Sequence, residues 1–367
     1  MVEDDGSYRA IGLRRWPVVV PVLAVLAVFV GKPDSLILAV ACALLLGGAI
    51  LAAVYHAEVL AQFLGEPYGT LTLALAVTVI EVSLIVSIML SDGAAAQALA
   101  RDTLIAAIMI TINAIVGICL LAGGRRHHEQ TYTQSGVSAG LAILATLSVL
   151  TLVLPNFTTS AGGPFYAPGQ LVFVAVVSLV LYGTFVVAQT IRHREYFLHR
   201  GEDDEGDNHA HHAPVGRAKA TGASLTLLVA LVGVVLLAKN LSPVIEAGVA
   251  AVGAPRALVG IIIAALVLAP EGFAALGAAR ANRVQTSLNL AIGSALATIG
   301  LTIPAVAMVA LALDLELELG LSMRSTVLLA LTLLVATLTL SRGRTTVIQG
   351  VIHLVIFATY LFTTIVP

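Results

Sequence analysis

Charge is what this sequence has least of. Only 11% of its 367 residues are Asp, Glu, Lys or Arg, where a soluble domain carries about a quarter. A soluble chain of this length cannot cover its surface with so few charged side chains, which excludes a soluble enzyme. Cysteine is nearly absent too: Cys42 and Cys119 define no disulfide framework, and both sit in apolar runs as small buried hydrophobes. A net charge of −2 leaves no basic field to attract nucleic acid. What is present is apolar. Hydrophobic residues make up 59% of the chain and mean hydropathy is +1.00, which excludes a disordered chain and leaves a polytopic membrane protein. The opening MVEDDGSYRAIGLRRWP is acidic at its start and has no small-residue cleavage site, so it reads as a cytoplasmic tail before a retained first helix.

A membrane-crossing helix takes about 20 mostly apolar residues. Eleven runs qualify: 16–31, 34–54, 68–91, 101–123, 136–154, 168–189, 223–238, 256–279, 286–312, 325–341 and 345–366. Each is expected to be a helix, because open strands leave backbone groups unpaired in lipid. The expected fold is therefore an all-α polytopic membrane protein of about 11 transmembrane helices. Lys and Arg orient it. Fourteen of the 19 fall on the side of the N-terminus, and only Lys32, Arg101, Lys239, Arg256 and Arg324 on the other. That asymmetry places the N-terminus in the cytoplasm and the C-terminus outside.

One long polar stretch, 190–222, interrupts the runs. It divides the chain into a tail with a first helix (1–33), five helices (34–189), the stretch itself, and five more (223–367). Five crossings invert the second copy relative to the first, the plan of many secondary transporters. The stretch carries Glu202, Asp203, Asp204, Glu205 and Asp207, then His209, His211 and His212. It reads either as a solvated cytoplasmic linker or as a regulatory sensor of divalent cations, since carboxylates and imidazoles both ligate them.

The second helix of each five is the informative one. Gly69 precedes Glu81 by twelve residues and Gly260 precedes Glu271 by eleven. Each glutamate thus lies roughly 17–18 Å along its helix, at mid-bilayer depth. Of 21 acidic residues these two alone fall well inside a run. A charge there costs at least a few kcal/mol and is usually functional. Pro270 and Gly272 flank Glu271 and are expected to break the helix and free carbonyl oxygens. Thr78 lies one turn before Glu81. The third helix of each half offers Thr111 and Asn113, and Asn289, Ser294 and Thr298, either as further ligands or as helix–helix hydrogen bonders. His353, in the last helix, reads as an interhelical residue rather than a ligand. Oxygen ligands without an inward cysteine or a histidine cluster select a hard cation. Two carboxylates neutralise one calcium or, protonated, leave an uncharged site. Exchange of calcium for protons follows, with sodium or potassium as the alternative cargo.

These residues resemble a known family, the calcium/cation–proton antiporters of the cation/calcium exchanger superfamily. The likeness is carried by HAEVLAQFLGEPYGTLTLALAVTVIEVSLI (56–85), RDTLIAAIMI (101–110), LAPEGFAALGAARANRVQTSLNLAIGSALATIGLTIP (268–304) and GRTTVIQGVIHLVIFATYL (343–361). It implies one extra N-terminal helix plus two inverted five-helix repeats, in a bacterial inner membrane, with cation exchange by alternating access. Its paired glutamates map onto Glu81 and Glu271, and Asn289, Gly293 and Ser294 match its pattern in the following helix. Calcium-selective members carry Gly-Asn shortly before each glutamate. Here Val79-Ile80 and Ala269-Pro270 stand nearby, so a cation range broader than calcium is expected. The implied partners are the lipid bilayer, inorganic cations and protons. No nucleic acid and no cofactor is expected beyond the transported Ca2+ and H+, or Na+ and K+. No filter-like loop suggests a channel, and neither a nucleophile–base pair nor an HExxH-type metal site inside the runs suggests an enzyme.

Overall fold

The computed structural model describes residues 15–29, 31, 33, 35–64, 68–92, 97–197, 216–251, 253–255 and 257–366, and side chains along α3 from residue 76 with few omissions. The acidic and histidine residues from Glu202 to His212 lie outside the described residues. Eleven helices account for almost everything else: α1 (Trp16–Val28), α2 (Leu36–Leu64), α3 (Tyr68–Asp92), α4 (Leu99–His127), α5 (Gln134–Phe157), α6 (Pro168–Arg192), α7 (Arg217–Ala251), α8 (Ala257–Arg280), α9 (Val284–Ala312), α10 (Met323–Leu340) and α11 (Val347–Ile365). Among the described residues, nine of them are long and apolar enough to cross a membrane. The helix satisfies every interior backbone donor and acceptor within the segment itself, which lipid demands.

Two of the eleven apolar runs differ appreciably from the helices found. α2 continues ten residues beyond the expected 54, and α7 extends from 217 to 251 rather than ending at 238. At 35 residues α7 is roughly 52 Å long, more than the hydrocarbon core requires. Lys239 therefore lies on a helix and not in a loop, and Pro243 lies inside the same helix. The sequence LAKNLSPVIEAG carries no glycine at the point where a stop was expected, so the helix runs on through its polar residues.

The chain forms two compact units, residues 1–80 with 212–245, and residues 81–211 with 246–367. In the first, α1 carries Pro17 in its first turn, where the missing N–H costs nothing. α1 packs along α2: a Cβ on Gly48 would sit 3.0 Å from Val20, and His56 Nε2 bonds the Pro17 carbonyl at 3.1 Å. The middle of α7 lies against α1 at Gly233, where a Cβ would meet Ala24 at 3.1 Å.

In the second unit α4 is the most enclosed helix, with 89% of its apolar stretch buried, and α9 follows at 67%. These are the third helices of the two five-helix sets. Their surroundings repeat with the copies exchanged. α4 packs on α11, the fifth helix of the other set, and α9 packs on α6. The chain after α4 forms β1 (Gln130–Thr131), antiparallel to β2 (Arg344–Thr345) just before α11. In the same way Glu318, after α9, bridges to Phe165, just before α6. A loop after a third helix thus pairs with the loop before the partner set's fifth helix, twice. One helix, α5, separates β1 from Phe165, so the two pairings lie at opposite ends, as an inverted repeat requires.

Close helix approach depends on glycine at these contacts. A Cβ on Gly350 would lie 2.6 Å from the Leu121 backbone N and 2.8 Å from the Gly117 carbonyl, whereas Gly277 faces open space. Gly350→Ala is expected to cost about 1–3 kcal/mol through backbone displacement, seen as a lower midpoint for thermal unfolding in detergent. Gly277→Ala is expected to leave the midpoint unchanged or raise it, alanine being the better helix former. Equal midpoints for both variants and the parent would show that α4 and α11 do not meet this closely.

Candidate functional site

Glu81 stands 13 residues into α3 and Glu271 stands 14 into α8, roughly 20 Å from each helix start. Both belong to the second compact unit. Glu81 is 3% exposed, and among the described residues neither of its buried carboxyl oxygens has a hydrogen-bond partner of ordinary geometry. Oε2 of Glu271 is in the same condition. The two carboxyls lie close enough for their charges to repel. α9 supplies the neutral oxygens. Thr298 and Thr302, one turn apart and both buried, face the Glu81 carboxyl. Among the described residues neither hydroxyl makes a hydrogen bond of ordinary geometry to it, and the Thr302 hydroxyl makes none to any other group.

Unsatisfied buried polar atoms are rare in folded proteins, and each needs an account. Here several converge: carboxyl oxygens from α3 and α8, and a hydroxyl from α9. A proton on a carboxyl or a bound cation removes the charge and supplies the missing partner. The donor set is all oxygen, which suits hard cations. Among the described residues no group of three or more His, Cys, Asp and Glu could hold a metal, so the set does not resemble a resident transition-metal centre.

The other residues singled out from the sequence divide. Thr78 is buried on α3, one turn before Glu81, and has a polar partner of its own. Ser294 is half-buried one turn before Thr298. Asn113 is committed elsewhere: its amide donates to Thr332 Oγ1 at 2.9 Å and its Oδ1 meets His353 Nδ1 at 3.1 Å. Thr111 bonds the carbonyls of Ala107 and Ile108 in its own helix. Asn289 donates to the Phe197 carbonyl at 2.6 Å and accepts from Gln285 at 3.0 Å. For these three the helix–helix or local bond is the role the geometry takes. His353 is interhelical, as expected.

The expected break around Pro270 and Gly272 is not present. α8 runs without interruption from Ala257 to Arg280. Pro270 removes only the donor for the Leu266 carbonyl, and Gly272 allows close packing, since a Cβ there would lie 3.3 Å from Ile115 Cδ1. Departures from α geometry lie elsewhere: α5 and α6 carry π segments near their ends, at Val149–Val153 and Ala188–Arg192, and in the middle of α4 Met109–Ile115 is a π segment closed by the Val116 N–H to the Thr111 carbonyl. Such segments occur often at functional sites. Thr302 was missed from sequence, although it continues the four-residue spacing of Ser294 and Thr298 along one face.

The chain is similar to known proteins. A family model described as sodium/calcium exchanger protein matches residues 34–191 and 222–366. The chain is 46% identical to y4hA of Sinorhizobium fredii, named as an ionic transporter, over 91% of this chain and 90% of that one. It is 37% identical to the sodium-potassium/proton antiporter ChaA of Escherichia coli, over 94% of each. Its fold matches the crystal structure of the H+/Ca2+ exchanger CAX with a TM-score of 0.73, at 18% identity, over 95% of this chain and 87% of that one.

Thr302→Val keeps the shape of the side chain and removes the hydroxyl that faces Glu81. Loss of one ligand to a charged group is worth roughly 1.5–3 kcal/mol, so cation binding measured by calorimetry on purified protein should weaken at least about tenfold. Thr111→Val, whose hydroxyl serves its own helix, should bind as the parent does.

Proposed function

Because the chain belongs to the sodium/calcium exchanger protein family, we propose that it is a cation/proton antiporter in which Glu81 and Glu271 hold the cation and the protons in turn. The observation that carries this reading is the convergence of two acids, one from the second helix of each repeat, with both Glu81 oxygens and Glu271 Oε2 buried and without a hydrogen-bond partner among the described residues. An ionised carboxylate at mid-membrane depth is costly unless something neutralises it. The pair therefore crosses between the two sides with its charge covered, either by protons or by a cation. That condition alone couples the two flows. A divalent ion displaces two protons, and a monovalent ion displaces one while the second carboxyl keeps its proton.

The cargo is a hard cation, and sodium and potassium fit as well as calcium. Calcium takes 6–8 oxygen ligands, and Asn113 and Asn289 are engaged with Thr332, His353, Gln285 and Phe197. The 37% identical relative carries sodium and potassium in its name. The CAX likeness, at 18% identity, supports the fold alone. The N-terminal side, rich in Lys and Arg, is assigned to the cytoplasm. Export of cations against entry of protons is then the working direction in a bacterial inner membrane.

Everted membrane vesicles carrying an imposed proton gradient test this reading. Addition of sodium, potassium or calcium, each alone, should dissipate the gradient for at least one ion. Glu81→Gln and Glu271→Gln should each abolish the response. Undiminished exchange in both variants would remove the glutamates from the mechanism, and cation flux with no proton movement would favour a channel.

A further inference from the structure

The π segment of α4 is held by a chain of buried side-chain hydrogen bonds that takes no part in the site described above. Asn113 lies within the segment. Its amide donates to Thr332 of α10, and its Oδ1 meets Nδ1 of His353 on α11. The other ring nitrogen, Nε2, meets Thr339 Oγ1 of α10 at 2.9 Å. Asn113, Thr332 and His353 are each fully buried, and Thr332 also bonds the Met109 sulfur at 3.3 Å. A buried polar chain of this kind specifies one arrangement of the helices that share it. The arrangement bears on the site, because the π segment packs on α8 and α9 as well as on α10 and α11. Its last residue, Ile115, fits against Gly272, next to Glu271.

We propose that His353 is a positioning residue for cation binding: through Nδ1 it fixes Asn113, and with it the π segment that forms the wall beside Glu271. The residue acts through Asn113 and does not touch the cation. The bond at Nδ1 does this work, and the contact at Nε2 with Thr339 is dispensable. The inference rests on the paired glutamates being the cation site.

The two amide residues separate the ring nitrogens. Asparagine at 353 places its amide where Nδ1 stands and offers a donor or an acceptor as Asn113 requires. Glutamine reaches the Nε2 position and leaves Asn113 unheld. Cation affinity is measured by calorimetry on full-length purified protein, with sodium and calcium in turn, alongside proton exchange in vesicles. His353→Gln is expected to raise Kd about five- to tenfold, the loss of one buried hydrogen bond. His353→Asn and Thr339→Val are expected to stay within about twofold of the parent. Thr332→Val, which cuts the chain on the other side of Asn113, is expected to raise Kd as well. Its effect and that of His353→Gln should be less than additive when combined, since both release the same segment. A residue with only a structural role would lower the yield of folded protein and leave Kd unmoved. Equal Kd for His353→Gln and the parent, or equal weakening in His353→Asn and His353→Gln, overturns the assignment. Parent protein that binds cation without exchanging protons would overturn the antiporter reading and leave this one standing.

Discussion

Two carboxyl groups within reach of each other's charge, one fully and one partly enclosed by the protein, set the terms for the rest of this molecule. Ionised together they repel in a medium that screens little. Among the described residues, neither Glu81 oxygen nor Glu271 Oε2 has a hydrogen bond of ordinary geometry. The charged group that bears on Glu81, again among the described residues, is the Glu271 carboxyl. Such a pair is stable when protons or a cation cover its charge. The proposed coupling of cation and proton flow needs no further device, because the uncovered form is the one the interior disfavours.

The repeat explains how two acids from distant parts of the chain arrive together. Each comes from the second helix of a five-helix set, and the third helix of each set, α4 or α9, runs through the protein interior. The same contacts form twice with the copies exchanged: α4 on α11 and α9 on α6, β1 on β2 and Phe165 on Glu318. Repeat boundaries and compact units differ for a physical reason. A repeat records duplication of a segment, whereas a unit records where packing is dense, and here each unit takes helices from both copies. The symmetry is broken in the surroundings of the two acids. Threonines of α9 face Glu81, while the corresponding helix of the first set, α4, turns to π geometry and commits its Asn113 to α10 and α11.

Much of this was legible in the residues. Long apolar runs fix helices in lipid with few alternatives, and most of the eleven were located to within a few residues. Glu81 and Glu271 were conspicuous because acids are otherwise absent from the middle of the runs. The failures have particular causes. Pro270 was expected to break α8, yet prolines 243, 270 and 304 all lie inside continuous helices, because packing against neighbours holds a helix across one missing donor. The π segment MITINAI contains no proline or glycine to announce it. Asn113 looked like a ligand because its partners, Thr332 and His353, lie 219 and 240 residues away in the chain, and local sequence carries no sign of them.

Proton release on cation binding reads the central claim without any membrane or gradient. Calorimetric titration of the purified protein in buffers of different ionisation enthalpy gives the protons displaced per cation bound. The account predicts about one proton for sodium or potassium and about two for calcium, by charge balance at the carboxyl pair, and fewer when either glutamate is replaced by glutamine. Cation binding that releases no protons, or releases as many from the double Glu81→Gln, Glu271→Gln variant, would contradict it.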